Sequence, residues 1–167
     1  MQHEHTFTGN WQITCRDPEG NVKWVEEIEN LVVNEGLDHA LDIVLSGGTQ
    51  ITTWYVGLTD GTPTIAAGDT LSSHAGWTEI QAYDEATRET WTDGGVSGQS
   101  VDNSGTVASF AVNANSTTVG GAFLASDNTK GGTTGTLYAV GAFSGGDKTA
   151  DSGDTLEVTA TFTASSS

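Results

Sequence analysis

The clearest periodicity in the chain runs from Leu156 to Thr163, where Leu156, Val158, Ala160 and Phe162 alternate with Glu157, Thr159, Thr161 and Thr163. A period of two predicts a half-buried strand, and its apolar face must be covered by another layer of sheet. The same period recurs upstream, at Leu137, Ala139, Gly141 and Phe143, and more weakly at Ala122 and Leu124. Glycine-rich turns at Gly131-Gly132, Gly145-Gly146 and Asp151-Ser152-Gly153-Asp154 separate these runs, so Gly120 to Phe162 reads as three short strands. At the other end, Phe7, Trp11, Ile13 and Cys15 alternate up to Asp17-Pro18-Glu19-Gly20, a turn with proline second and glycine fourth. Val22, Trp24, Glu26 and Ile28 then return, which predicts a β-hairpin.

One stretch departs from period two. Leu37, Ala40, Leu41, Val44 and Leu45 recur at three- and four-residue spacing after Asn34, a candidate cap, and before Ser46-Gly47-Gly48. A helix of roughly Glu35 to Leu45 follows, with one buried apolar stripe and with Asp38 and Asp42 on the wet side. Ile51 to Leu58 is apolar and β-branched throughout and predicts a strand buried on both faces. Trp77 to Tyr83 carries apolar residues on both faces, and Ala108, Phe110 and Val112 supply the core face of another strand. The expectation is an all-β fold, a β-sandwich or jelly-roll-like arrangement of eight to ten strands, with an N-terminal β-hairpin and one short helix. Residues 1–48 would form the hairpin arm and helix, and 49–167 the β-sandwich core, together one compact unit.

Charge narrows the partners. Five Lys and Arg against 22 Asp and Glu give a formal net charge of −17, the wrong sign for gripping a phosphate backbone, so no nucleic-acid partner is expected. Cys15 is the single cysteine, so no intrachain disulfide can form. No secretory leader is read at Met1 to His5, and no apolar run approaches the length of a membrane helix, so no membrane partner is expected.

Candidate chemistry is thin. His3 and His5 could chelate a metal weakly, but a closed site needs about four ligands. The acidic turns at Asp127-Asn128, Asp147 and Asp151 to Asp154 resemble partial calcium loops without the EF-hand oxygen spacing; turn formation accounts for them equally well, and no cofactor is expected beyond a structural calcium ion there. Glu79, Asp84, Glu85 and Glu89 could supply a carboxylate pair, a weak signal among 22 acids. Arg88, among those acids, reads as a structural ion pair and His39 as a surface or edge residue, and neither His39 nor His74 forms an arrangement with a serine nucleophile. No enzyme is expected. Of the five tryptophans, Trp54 and Trp77 read as core; Trp11, Trp24 and Trp91 could be core residues, interface anchors or a stacking platform for sugar rings.

Several segments together carry a resemblance. They are Trp54-Tyr55-Val56-Gly57-Leu58, Gly76-Trp77-Thr78-Glu79, Ala86-Thr87-Arg88, Ser126 to Gly132, and Gly153-Asp154-Thr155-Leu156, with Asn30 to Gly36 before the helix. Across about Trp11 to Phe162 the chain resembles a family of small structural proteins encoded by tailed bacteriophages. The resemblance implies a virion component, made in the host cytoplasm. The leading expectation is a head decoration, or cement, protein on the outer capsid surface, a homotrimer that clamps neighbouring major capsid protein subunits. The hairpin from Thr6 to Ile28 would be the arm that reaches a neighbour by strand addition. Candidate interface residues are Phe7, Trp11, Trp24, Val25, Ile28 and Trp91. A tail-fibre or receptor-binding component, using loops such as Asp93 to Ser104, is the alternative, and a free carbohydrate-binding module is a third reading.

Overall fold

A computed structural model of the chain describes residues 5–166. The His3 and His5 side chains lie outside the described residues. Twelve strands form, in order β1 (His5–Arg16), β2 (Val22–Val32), β3 (Trp54–Asp60), β4 (Thr78–Glu79), β5 (Glu89–Trp91), β6 (Ser100–Asp102), β7 (Ala108–Ala111), β8 (Thr117–Val119), β9 (Gly121–Ala125), β10 (Leu137–Ala142), β11 (Lys148–Ala150) and β12 (Thr155–Ser166). Among the described residues one α-helix, α1 (Asn34–Leu41), follows β2 and runs into a wide π-turn, Asp42–Ser46.

Ten strands make one antiparallel sheet in the order β4-β3-β9-β10-β2-β1-β12-β6, with β5 also on β3 and β7 also on β12. β8 and β11 pair separately. The sheet curls until its ends meet: Asp84 N–H donates to the Ala111 carbonyl at 2.9 Å and Asn113 N–H to that of Ala82 at 3.2 Å, joining the segment after β4 to the end of β7. The fold is thus all-β with one short helix, and the two halves of one curled sheet enclose the core. Trp11, Ile13 and Cys15 of β1 meet Leu156, Val158, Ala160 and Phe162 of β12, Val56 and Leu58 of β3, and Phe110 of β7 in that core. The strict alternation along β12 is read out residue by residue, since its inward positions are buried and its outward ones half-buried.

A second, smaller core explains why β9 is buried on both faces, with Ala122 and Leu124 in the first core and Phe123 and Ala125 in the second. Phe123, Ala125, Leu137 and Val140 project to the other side of β9 and β10, where Leu71 and Trp77 from the loop before β4 cover them. The Phe123 ring lies flat on Gly57; a Cβ there would fall 2.2 Å from the ring, so glycine is what lets the loop layer close on the strand.

The hairpin turn forms as its residues predict, with Asp17 accepting from the Gly20 and Asn21 N–H groups and Gly20 at φ +86°. Its setting is different from that of an arm. β1 pairs with β12 over their whole lengths, from His5 opposite Ser166 to Arg16 opposite Thr155, and β2 pairs with β10. The hairpin therefore stands within the sheet, its β1 edge fully paired and its β2 edge paired only at Asn30–Val32, and residues 5–32 share one core with strands from beyond residue 49. Strand addition through β1 is thereby closed off, while the outer edge of β2 from Val22 to Glu29 has no strand partner among the described residues.

The helix is also corrected. Asn34 is its first residue and not a side-chain cap; Asn34 N–H donates to the Ala67 carbonyl at 2.8 Å. α1 sits against β10 with Gly36 on the Tyr138 carbonyl, where any side chain would collide. The π-turn then rotates the last apolar positions, and Gly47 at φ +73° ends it. Leu41, Val44 and Leu45 emerge 56%, 77% and 76% exposed, and only Leu37 and Ala40 at the start of the apolar stripe are half-buried.

Cys15 is fully buried, and its thiol lies 3.7 Å from Asp154 Oδ2. That carboxylate is already held by Lys23 Nζ at 2.6 Å and by the Asp151 N–H at 2.8 Å. Burial, reinforced by the Asp154 charge, pushes the thiol up to about 12. The native protein is expected to leave a disulfide reagent such as Ellman's unreacted at pH 8 and to release one thiol equivalent on unfolding; prompt native-state reaction would refute the buried setting. Because the folded value is raised, the thiol's contribution to stability is intact below pH 9.0 and fades as pH climbs from there towards 12.

Candidate functional site

At one end of the curled sheet, β1, β6 and β12 on one side face β3, β5 and α1 on the other across an apolar groove of about 550 Å³. Its floor is aromatic. Trp54 meets Tyr138 edge-on with ring centroids 5.3 Å apart, Tyr138 meets Phe162 at 5.3 Å, and Phe162 meets Trp91 at 5.8 Å. Such perpendicular contacts fix ring orientation as well as burying area. The Trp91 indole N–H donates to the Ala160 carbonyl at 3.3 Å, which ties β5 to β12 beneath the groove. The rim is made of side chains with little cover: Leu41, Val44 and Leu45 from the helix end, Val96 from the loop after β5 at 78% exposure, and Phe7 from β1 at 48%. His39 and Gln50 are the polar side chains in the lining. The His39 ring packs edge-on against Trp54 at 5.6 Å, and its buried Nε2 has no hydrogen-bond partner.

Of the six residues expected at an interface, the groove brings together two, Phe7 and Trp91. Val25 is exposed on β2 but does not line the groove. Trp24 is half-buried against Phe143, its indole N–H bonded to the Thr149 carbonyl at 2.9 Å. Trp11 and Ile28 are core residues, which corrects their placement at a surface. Trp77 is buried as expected, its ring stacked on His74 at 3.8 Å, whereas Trp54 is only half-buried because it floors the groove. Leu41, Val44, Leu45 and Val96 were not singled out by the sequence. The helical stripe was visible, but nothing local showed that no layer would cover its end.

The acidic candidates are engaged elsewhere. Glu79 takes both Nε and Nη2 of Arg88, at 2.9 and 2.7 Å, and Glu85 accepts the Ala111 N–H. Asp84 accepts from Asn113, and burial, with the nearby Glu85 charge, raises the Glu89 carboxyl above its usual range. None of the four lines the groove. In the turns, hydrogen bonds from Thr129 hold the Asp127 carboxyl low, and the Ser116 N–H does the same for Asp151. Asp147 accepts from Thr62. Among the described residues no group of three or more His, Cys, Asp or Glu is placed to hold a metal ion, and no helix is long and apolar enough to cross a membrane.

The groove can therefore desolvate apolar side chains, with Gln50 and His39 as the polar side chains of its lining. No acid, base or nucleophile is aimed into it beyond that imidazole. The chain matches no family model, no curated protein and no solved structure.

Proposed function

We propose that this chain is a non-catalytic structural subunit that works by docking its groove on a protein surface. The observation that carries the reading is the rim of Leu41, Val44, Leu45 and Val96, four aliphatic side chains left 56–78% exposed around an aromatic floor on a strongly acidic protein. Contiguous apolar exposure of this kind is costly in water and marks an interaction surface. Covering one such Leu or Val contributes about 1.5–3 kcal/mol, so four of them with Phe7 make a plausible hot spot.

The resemblance in sequence supplies the setting: a tailed-phage virion protein that decorates the outer head as a homotrimer and clamps major capsid protein subunits. Added interface area between capsomers would then resist the outward pressure of packaged DNA. A tail-fibre role is the second reading, favoured by Val96, whose loop lies within the span expected to meet a host receptor. A sugar platform is less well supported, since the groove offers sugar hydroxyls few polar partners.

Quantifying this chain against the major capsid protein in purified particles, with cryo-electron microscopy to place it, is the test. Comparable copy number with density on the head, and its loss when Leu45 and Val96 are both changed to Asp, is the expected result. A few copies at the tail would overturn decoration in favour of the fibre reading, and absence from particles would overturn both.

A further inference from the structure

The charge around the groove says what kind of protein segment it takes, an inference that rests on the docking reading above. The chain has five Lys and Arg residues, and each is engaged by other groups and none lines the groove. Arg16 pairs with Glu157 at 2.9 Å, Lys23 with Asp154 at 2.6 Å, Arg88 with Glu79 at 2.7 Å and Lys148 with Glu26 at 2.8 Å. Lys130 Nζ donates to the Tyr83 carbonyl at 2.8 Å and sits 3.9 Å from the centre of that ring. Asp38, Asp42 and Asp93 are within two residues of lining positions along the chain, and Asp102 follows Val101 on the opposite face of β6. Among the described residues none of these four is in an ion pair. An apolar groove thus opens on a chain of formal charge −17 with no Lys or Arg in its lining.

We propose that the groove binds an apolar protein segment bordered by Lys or Arg, presented by a different chain. A second copy of this chain would bring another formal −17 to the same mouth and no basic side chain to offset it. A segment with apolar side chains on one face and cations along its borders gains both the burial and the charge complementarity.

The test uses the whole chain and two synthetic probes, amphipathic Leu/Lys and Leu/Glu peptides each about five helical turns long. Binding is followed by tryptophan emission, since Trp54 and Trp91 line the groove, and by calorimetry at low and high salt. The Leu/Lys peptide is expected to bind at least about tenfold more tightly than the Leu/Glu peptide, with the difference shrinking in salt. Val44→Asp, at a side chain exposed enough to leave the fold intact, is the decisive variant. It adds a carboxylate, so diffuse attraction to an acidic protein would strengthen, whereas docking in the groove should weaken by about tenfold or more. Equal affinity for both peptides, or unchanged or tighter binding to Val44→Asp, would overturn the proposal. So would sedimentation as an oligomer that Val44→Asp dissociates, which would make the occupant a second copy. Failure of the Leu/Lys peptide while Val44→Asp still releases the chain from particles would sink the charge assignment and leave docking standing. Peptide binding intact with the chain absent from particles would sink only the virion setting.

Discussion

Arg88→Ala is expected to destabilise the protein by about 3–5 kcal/mol, enough to abolish much of the stability of a domain this size. Arg88 is 2% exposed, and its guanidinium is satisfied on every side that the fold presents. Two nitrogens grip Glu79 as a fork, and the other bonds go to the carbonyls of Asp127 and Gly132, each at 2.8 Å. The plane also lies 5.0 Å from the Phe123 ring centre. Glu79 in turn accepts the Gly131 N–H at 2.9 Å, so one ion pair pins the Ser126 to Gly132 turn onto β4. Truncation would leave a buried carboxylate without its cation and two carbonyls without donors, and each loss is charged at the full desolvation cost. Lys148→Ala is the control: its partner distance to Glu26 is 2.8 Å, but its side chain is 30% exposed, and such pairs contribute about 1 kcal/mol or less. Urea unfolding of both variants measures the contrast. Similar midpoints for the two would show that the Arg88 clamp is dispensable.

How much of this was legible in the sequence depends on how local each determinant is. The alternation in β12, the Asp17 to Gly20 turn and the double-sided β3 were readable, because each is set by neighbours within a few residues. A structural role for Arg88 was readable from charge alone, but its partner was not. Glu79 lies nine residues away and the turn carbonyls about forty, so only the closed fold brings them together. The position of the hairpin failed for the same reason. Its turn is local, while the partner of β1 is the last strand of the chain, and no pattern in residues 5–16 names residues 155–166 as the mate. The groove was half visible. The helical spacing at Leu41, Val44 and Leu45 was seen, but burial of a stripe depends on whether a second layer reaches that far, and α1 ends in a π-turn beyond the support of β10.

The same limit separates Phe7 from Trp11, and Trp11→Ala and Phe7→Ala are expected to behave in opposite ways. Both residues are on odd positions of β1, so both point to one face of the sheet, and the sequence offered both as interface anchors. Trp11 faces Ala160 across the ladder and meets the Phe162 ring at 6.2 Å, with the curled sheet closed over it; it is 0% exposed. Phe7 stands four residues further along, where the covering layer has run out and the groove begins. Trp11→Ala removes a fully enclosed indole and is expected to cost about 3–5 kcal/mol, read as a lower urea midpoint. Its indole Nε1 has no hydrogen-bond partner, so no lost bond adds to that figure. Phe7→Ala gives up only half-buried surface, about 1 kcal/mol or less. Its effect should fall on binding, where loss of a rim aromatic weakens the Leu/Lys peptide. A Phe7→Ala protein as unstable as Trp11→Ala would mean that the rim is core, and the groove would lose its claim to be a docking surface; normal stability with weakened binding places the boundary between core and interface within those four residues of one strand.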